Sequence, residues 1–439
     1  MAFEHDELNR RRQAREELRK KREQEQRRTL RKLIIAGVVV LLCGAGIITL
    51  ALRNGRTSDP NASTEPDAPV FQPQVEATEE PTEEQKSSLD RAPTVIHIAA
   101  AGDLNVTDKT VWSGQTSGEF DYTKAFMDVA PIFAQADLSL LNFEGTVSGA
   151  PYGTKTASAP QQMLEGLKRA GIDVVQMANS YSIFNGMDGL ALSLANMRAA
   201  GIEPIGAFSN TAEFQKTKGY TICEVDGIKI ALVAFTKGMG SLGLPAGYEN
   251  CVNLLYTDYA TTYRDVDEEG ITRILKNVAS ENPDITIALL HWGSEYNDTI
   301  SDSQKDIVRL MKKQGVDAII GSHPHMVHEI SYDETTGQLV AYSLGDFFGD
   351  GSRGGTNYSL ILDLEITKDH DTGETRITNY SYTPIYILSE DECDGDRRVV
   401  RIENAISAYE GNFIDKVTQT AYENMLTSLT RVRERVQGK

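Results

Sequence analysis

The sequence predicts an α/β domain, and three observations carry that expectation. Apolar runs of strand length alternate with stretches of helical spacing through residues 94–205 and again through 285–320. Many of the runs are rich in β-branched residues and nearly free of polar ones, as in strands buried on both faces. Several stop on a carboxylate, an amide or an imidazole, at the carboxyl end of the strand, where open α/β sheets bind ligands.

Taken in order, residues 94–101 read as a strand that ends in Gly102-Asp103-Leu104-Asn105. A helix is expected around 122–135, then a strand over 137–141 ending in Asn142-Phe143-Glu144. Pro160 opens a helix that runs to Ala170, and 173–177 is a strand ending in Ala178-Asn179. A helix over 190–200 feeds a short strand at 202–205. Residues 221–235 change character to a hairpin, its two-residue turn marked by Asp226-Gly227.

Residues 236–263 are rich in loop signals. They include Gly238-Met239-Gly240-Ser241-Leu242-Gly243, which formally matches G-x-G-x-x-G. Pro245 and Gly247 stand where a dinucleotide-binding helix would open, so the stretch is read as a flexible loop over the site.

The unit that organises the chain follows. Residues 285–290 form a strand ending in His291-Trp292-Gly293, and Ser301 with Asp302 starts a helix. Ile307, Leu310 and Met311 fall at helical spacing, and Gly315 supplies a stop. Residues 316–320 are a second strand, ending in Gly321-Ser322-His323-Pro324-His325. Four of the chain's 7 histidines lie within 285–328, at the strand ends where ligands are expected. Residues 339–344 are another strand, ending in Gly345-Asp346. The alternation of Tyr358, Leu360, Leu362, Leu364 and Ile366 then pairs across a turn at 371–373 with a strand over 375–387.

With 439 residues the chain exceeds one ordinary core, but its ends are not globular, leaving one large domain over 93–395. The tail, 396–439, is expected to form one or two polar helices with Phe413, Ile414, Val417, Tyr422 and Leu426 facing the domain. Residues 1–32 carry twelve Lys or Arg against seven Asp or Glu, a net of +5. The whole chain stands at −19, so the remainder holds −19 less 5, or −24, which excludes nucleic acid as a partner of the main body.

Residues 33–52 carry no charge, and about 20 apolar residues are what a single transmembrane helix needs. Arg27, Arg28, Arg31 and Lys32 crowd its amino side, so residues 1–32 are expected in the cytoplasm and the domain outside, on a single-pass cell-membrane anchor. A cleaved signal peptide would have a shorter basic region and an apolar stretch of about 7 to 15 residues. Residues 53–92 are rich in Ser, Thr, Pro and acidic residues and read as a disordered stalk. Of the 4 cysteines, Cys43 lies in the anchor, and Cys223, Cys251 and Cys393 show no C-x-x-C. They read as buried small residues, with one bridge allowed in an oxidising exterior.

Five strands therefore end in a metal-ligating residue type: Asp103, then Asn142 with Glu144, then Asn179, then His291, then His323 with His325. Carboxylate, amide oxygen and imidazole together suit Mn, Fe, Zn or a similar divalent ion, and two neighbouring ions need about this many ligands. One such strand end alone would mean little.

Gly102-Asp103, Asn142-Phe143-Glu144, His291-Trp292-Gly293-Ser294-Glu295-Tyr296, Gly321-Ser322-His323-Pro324-His325 and Tyr342-Ser343-Leu344-Gly345-Asp346-Phe347 together resemble the successive motifs of the CapA family. These are capsule or poly-γ-glutamate biosynthesis proteins, related to the calcineurin-like metallophosphoesterases. The resemblance covers roughly residues 94–390, and an anchor ahead of the domain is common in that family. It implies a two-sheet sandwich flanked by helices, and a site with two divalent metal ions. Asp103 and His325 would hold one ion and Asn179, His291 and His323 the other, with Glu144 or Asn142 between them. Glu295 and Tyr296 would sit on the rim, Glu295 in a catalytic role and Tyr296 with Trp292 and Asp346 binding substrate.

The chain departs from that family at the third strand. Where an Asn-Asn-His followed by an aspartate is usual, it reads Asn179-Ser180-Tyr181-Ser182-Ile183-Phe184, so Tyr181 stands in the catalytic histidine's place and Phe184 in that of the aspartate. A phenol donates a hydrogen bond but, with an ordinary pKa near 10, is a poor proton shuttle at neutral pH. The resemblance thus leaves two functions open. One is a metal-dependent hydrolase or transferase acting on an anionic envelope polymer or its lipid-linked precursor. The other is a catalytically degenerate member that binds or guides the polymer among other membrane synthase subunits.

Overall fold

The alternation of buried side chains sorts the strands into two sheets around a shared core. The computed structural model describes residues 92–413 and 416–439. The expected basic segment, membrane anchor and stalk, 1–32, 33–52 and 53–92, lie outside the described residues apart from Ala92. Among the described residues no helix is long and apolar enough to cross a membrane.

The chain begins with β1 (Thr94–Asn105), α1 (Asp108–Trp112), a small ladder of β2 (Gln115–Thr116) and β3 (Glu119–Phe120), α2 (Thr123–Phe126), α3 (Ala130–Phe133) and β4 (Leu138–Glu144). It continues through α4 (Gln161–Ala170), β5 (Val174–Gln176), α5 (Gly186–Ala199), β6 (Glu203–Ile205), α6 (Thr211–Thr217), and the hairpin of β7 (Thr221–Val225) and β8 (Ile228–Thr236). Then come α7 (Glu268–Ser280), β9 (Ile285–His291), α8 (Asp302–Lys313), β10 (Ala318–Ser322), β11 (Ile330–Asp333) and β12 (Gln338–Ala341). The last elements are β13 (Asp346–Phe348), β14 (Tyr358–Lys368), β15 (Thr375–Leu388), β16 (Arg398–Arg401), α9 (Ile402–Glu410) and α10 (Gln419–Val436).

One sheet has the order β16-β15-β14-β1-β4-β5-β6, with β13 pairing β1; the other has the order β11-β12-β10-β9-β8-β7. In the second sheet the side chains divide cleanly by period two. Ile230, Leu232, Ile287 and Leu289 face the core shared with Ile96, Ile98 and Leu140 of the first sheet. Ala231, Val233, Phe235, Ala288 and Leu290 face outward, where Ile271, Ile274 and Val278 of α7 and Ile307 and Met311 of α8 cover them. Both faces of this sheet are thus buried, which is why its central strands read as unbroken apolar runs.

Several expected elements are redrawn. The single helix over 122–135 is two short helices, because Pro131 at the second position of α3 cannot donate into a preceding turn. β1 and β4 run on through Asp103 and Glu144, so these residues lie inside strands. α6, α7, β11, β13 and β16 were not anticipated. In the tail, Phe413 is 85% exposed and Leu426 41%, contrary to the expected inward face. Ala421, Met425, Val432 and Val436 form the buried stripe of α10 instead, Val417 is buried ahead of it, and Ile414 lies outside the described residues. Cys223, Cys251 and Cys393 are free, the last two buried.

A half-buried carboxyl ties the starts of β9 and β10 together. Asp317 Oδ2 accepts from Thr286 N at 2.8 Å, and burial pushes this carboxyl up to about 6 from 3.8 despite that hydrogen bond. The native state then holds the proton more tightly than the unfolded chain, so stability falls as pH rises between these values. Asp317→Asn is expected to stabilise the protein at pH 8 by about 1 kcal/mol, with the gain fading towards pH 4. Urea denaturation at both pH values measures it.

Candidate metal centre

The two sheets meet at the carboxyl ends of β1, β4, β9 and β10. Register pairs Asp103 with Asn142 across β1 and β4, and His291 with Ser322 across β9 and β10. The amide of His323 donates to Asp103 Oδ2 at 3.1 Å, joining the two sheets at the site. Two glycines permit the approach: a Cβ on Gly102 would lie 1.8 Å from Gly345 O, and one on Gly321 would lie 2.0 Å from Tyr342 O.

Sharp backbone turns aim the histidines. His323 and His325, either side of Pro324, have φ of 92° and 59°, a left-handed conformation that costs non-glycine residues about 1–3 kcal/mol and concentrates at functional sites. Both imidazoles thereby turn into the cluster. The ring centroids of His291 and His323 are 4.3 Å apart and those of His323 and His325 are 6.1 Å apart.

Three donor sets result, each with its ligating atoms within 4.8 Å of one another: Asp103, Glu144 and His325; Glu144, His291 and His323; Glu295, His323 and His325. Glu144 belongs to the first two, the position expected of a ligand between two ions. All of these but Glu295 are buried. The donors fit a divalent pair on their chemistry, carboxylate with imidazole. They also fit on an orphan: His323 Nδ1 is buried with no hydrogen-bond partner, a costly state that a ligand would relieve.

The remaining atoms of the cluster are held by neighbours. His291 Nδ1 lies 3.2 Å from Thr236 Oγ1, and its Nε2 lies 3.0 Å from Glu144 Oε1. His325 Nδ1 lies 2.8 Å from Asp346 Oδ1. Such outer partners fix ring orientation and raise ligand basicity. Burial alone would pull the His325 imidazolium down, but the carboxylates of Asp346 and Glu144 outweigh it and hold its pKa well above the usual range. Burial, with His291 and Lys237 adding to it, holds His323 well below that range. Burial also pushes the Asp346 carboxyl up to about 6.

Other expected site residues take different places. Asn142 turns its amide to the cluster, donating from Nδ2 to Asp103 Oδ1 at 2.7 Å and to Glu144 Oε1 at 3.0 Å, and so keeps two carboxylates together. Asn179 does not turn its oxygen to His291 and His323: Oδ1 accepts from Tyr181 N at 3.0 Å, while Nδ2 donates to Phe143 O at 2.7 Å. Trp292 has no exposed surface. It stacks on Tyr342, its Nε1 donates to Tyr342 O at 2.9 Å, and it supports the core rather than touching substrate. Asp346 is buried and bonded to His325, so from the wall of its cleft it orients that imidazole.

Two clefts open on either side of Glu295. One, about 300 Å³, is lined by Ser180, Lys237, Gly240, Tyr263, Ser294 and His323 with Glu295. The other, about 150 Å³, is lined by Tyr181, Tyr296, His325, Asp346 and Arg353 with Glu295. Tyr181 is thus beside the cluster, where burial and then Glu144 push its phenol up to about 12. Tyr296 stacks on His325 with ring centroids 5.3 Å apart. Lys237, Arg353 and Thr236 were not anticipated. Thr236 and Lys237 follow from β8 lying beside β9, and Arg353 sits in a glycine-rich loop that carries no motif.

The sequence profile described as "Bacterial capsule synthesis protein PGA_cap" matches residues 97–350, which span the cluster from Asp103 to Asp346. The chain belongs to this family. Among PGA_cap relatives, the PGA biosynthesis protein CapA of Bacillus subtilis (strain 168) is 27% identical over 261 residues, covering 58% of this chain and 63% of that one. The capsule biosynthesis protein CapA of Bacillus anthracis is 27% identical over 215 residues, or 49% of each. The chain therefore spans about half to three fifths of the curated relatives it matches. Among solved structures, a calcineurin-like phosphoesterase from Bacillus subtilis superposes with a TM-score of 0.42 at 15% identity, covering 79% of this chain and 100% of that one.

Proposed function

We propose that this PGA_cap protein acts in capsule or poly-γ-glutamate biosynthesis as a metal-dependent hydrolase or transferase on an anionic envelope polymer or its lipid-linked precursor. Residues 33–52 would anchor it in the cell membrane, with the domain outside and other membrane synthase subunits beside it. The observation that carries the enzymatic reading is Glu144, shared by the Asp103–His325 and His291–His323 donor sets. Asp103, Glu144, His291, His323 and His325 would hold a divalent pair there, and such a pair would supply electrophilic activation of a phosphoryl or comparable centre. Around it, Asp346 and Thr236 orient His325 and His291, and Asn142 holds Asp103 against Glu144. Glu295, at the lip of both clefts, would be the group that takes or gives a proton there.

A second reading, a binder that guides the polymer without cleaving it, is favoured by Tyr181. Its phenol, pushed up to about 12, keeps its proton throughout the neutral range. Phe184, 41% exposed, offers its ring rather than a carboxylate, its centroid 5.7 Å from that of Tyr181.

Cleavage of a chromogenic phosphodiester with added Mn separates the readings. Tyr181→His with Phe184→Asp is expected to raise the rate about a hundredfold, the scale on which a positioned general acid contributes. An already rapid wild-type rate that the pair leaves unchanged would make Tyr181 an adequate substitute; no cleavage by either protein would leave the binder.

A further inference from the structure

The segment that carries Glu295 and Tyr296, residues 293–300 between β9 and α8, contains no helix or strand, and 294–299 are exposed. A group on such a segment is placed only as well as the segment is held. Tyr296 has a φ of 56°, a left-handed conformation that a tyrosine keeps only where its surroundings over-determine it. On the cluster side, Lys237 Nζ donates to Gly293 O at 2.7 Å and Tyr296 N donates to Pro324 O at 3.0 Å. The Arg353 guanidinium carbon lies 4.0 Å from the Tyr296 ring centroid, in a loop whose start Arg397 fastens by donating from Nη1 to Gly349 O at 3.0 Å.

Those supports end at Tyr296. Beyond it the chain is caught from the opposite side by His328 and Arg435. His328 is buried, its own amide donating to Ser343 O at 3.0 Å, and its Nε2 lies 2.8 Å from Asn297 O. A carbonyl only accepts, so Nε2 carries the ring proton. Burial holds the ring's pKa below the ordinary range, and Nδ1 is left buried with no partner. An unpaired buried nitrogen is destabilising, and an apolar side chain of similar size would avoid it. The one bond the ring makes goes to the backbone of an exposed turn, two residues from Glu295.

Arg435 reaches the same turn from a fixed base. Val432 and Val436 bury the last turns of α10. From there Arg435 Nη1 donates to Val327 O at 3.3 Å, and Nη2 lies 3.6 Å from Asp298 Oδ2. A cavity of about 440 Å³ is lined by Thr299, Ile300 and His328 together with Arg431, Arg435 and Lys439. Turn and helix thus face each other across open space, and Arg435 bridges it.

We infer that His328 and Arg435 are positioning residues, which hold the far end of this turn and through it set Glu295 and Tyr296 over the histidine cluster. The inference rests on the reading of Glu295 as the group that exchanges a proton there, and it extends the working site to the end of the C-terminal helix. Neither residue touches the reacting atoms.

The metal-loaded full chain is tested by amide hydrogen exchange over 294–300 and by cleavage of the chromogenic phosphodiester with Mn. His328→Leu removes the donor and the orphan nitrogen together, so stability in urea should hold. Exchange in that segment should rise about tenfold and kcat fall about tenfold, as when a group at a site is loosened. His328→Gln, which restores a donor, is expected to recover most of the rate, and Arg435→Met to show the same two changes at about threefold. Metal content should match the wild type in every variant. Exchange over 294–300 unchanged in His328→Leu, a rise spread evenly over the domain, wild-type turnover despite faster exchange, or a His328→Gln protein no better than His328→Leu overturns the inference. A wild type that holds metal and cleaves nothing overturns the enzymatic reading of Glu295, and the exchange arm still decides whether His328 and Arg435 hold the turn.

Discussion

Alanine at both His323 and His325 is expected to leave the gently purified protein with no more than about a tenth of the wild type's divalent metal. The two side chains take part in all three donor sets, so their loss leaves no set complete. Removing a mere outer partner of a ligand costs about 10- to 100-fold in metal affinity, and removing two ligands costs more. The carboxylates of Asp103, Glu144 and Asp346 would remain, crowded and without the imidazole that faces them at 3.4, 4.0 and 2.8 Å. The apo variant should therefore also unfold more readily. His328→Ala is the comparison: that ring is buried nearby and bonded to Asn297 O at 2.8 Å, away from the cluster, and metal should stay. Elemental analysis by mass spectrometry reads all three proteins. A wild type that carries no metal would remove the two-ion site itself.

The convergence of these residues was legible because each ligand follows a run whose pattern is unambiguous. β9 and β10 are buried on both faces, so every residue up to His291 and Ser322 is apolar or small, and the polar residue that ends the run stands out. Where an element is short, no pattern exists to read. β13 has three residues and β16 four, no more than two periods of a strand. α7 is different, because Ile271, Ile274, Leu275 and Val278 do show helical spacing and Asp267 caps it. The signal was in the sequence and the loop-like stretch before it hid the start.

The clustering of the candidate metal-binding side chains, Asn179 excepted, was legible in the sequence, and their surroundings were not. A ligand's identity depends on its own chemistry, whereas Trp292 was misplaced because a buried indole and a substrate-stacking one have the same sequence context. Its Nε1 bond to Tyr342 O at 2.9 Å is a tertiary fact. Lys237 and Arg353 were invisible for the same reason. Each matters through Gly293 or Tyr296, 56 and 57 positions away in the sequence, and only the packing of β8 on β9 and the fastening of the Gly349 loop bring them there.

Gly102→Ala is expected to destabilise the domain by about 3 kcal/mol or more and to weaken metal binding in the same protein. The added Cβ would lie 1.8 Å from Gly345 O and 2.9 Å from Gly345 C, and both are backbone atoms, which no rotamer change can move aside. Relief requires β1 to part from the Leu344–Gly345 turn. That motion breaks the bond from Asp103 N to Gly345 O, now 2.9 Å, and carries Asp103 away from His325 and from the amide of His323. A domain of this kind has about 5–15 kcal/mol of total stability, so the loss is a large share of it. Gly354→Ala supplies the contrast: nothing lies within 4 Å of its added Cβ, and its effect should stay within about 0.5 kcal/mol. Chemical denaturation of the two variants, each with and without saturating Mn, reads both effects at once. Because metal binds the native state alone, it should recover less stability in Gly102→Ala than in the wild type. Equal stabilisation by Mn in both proteins would show that the Gly102–Gly345 contact holds the strand without holding the ligand.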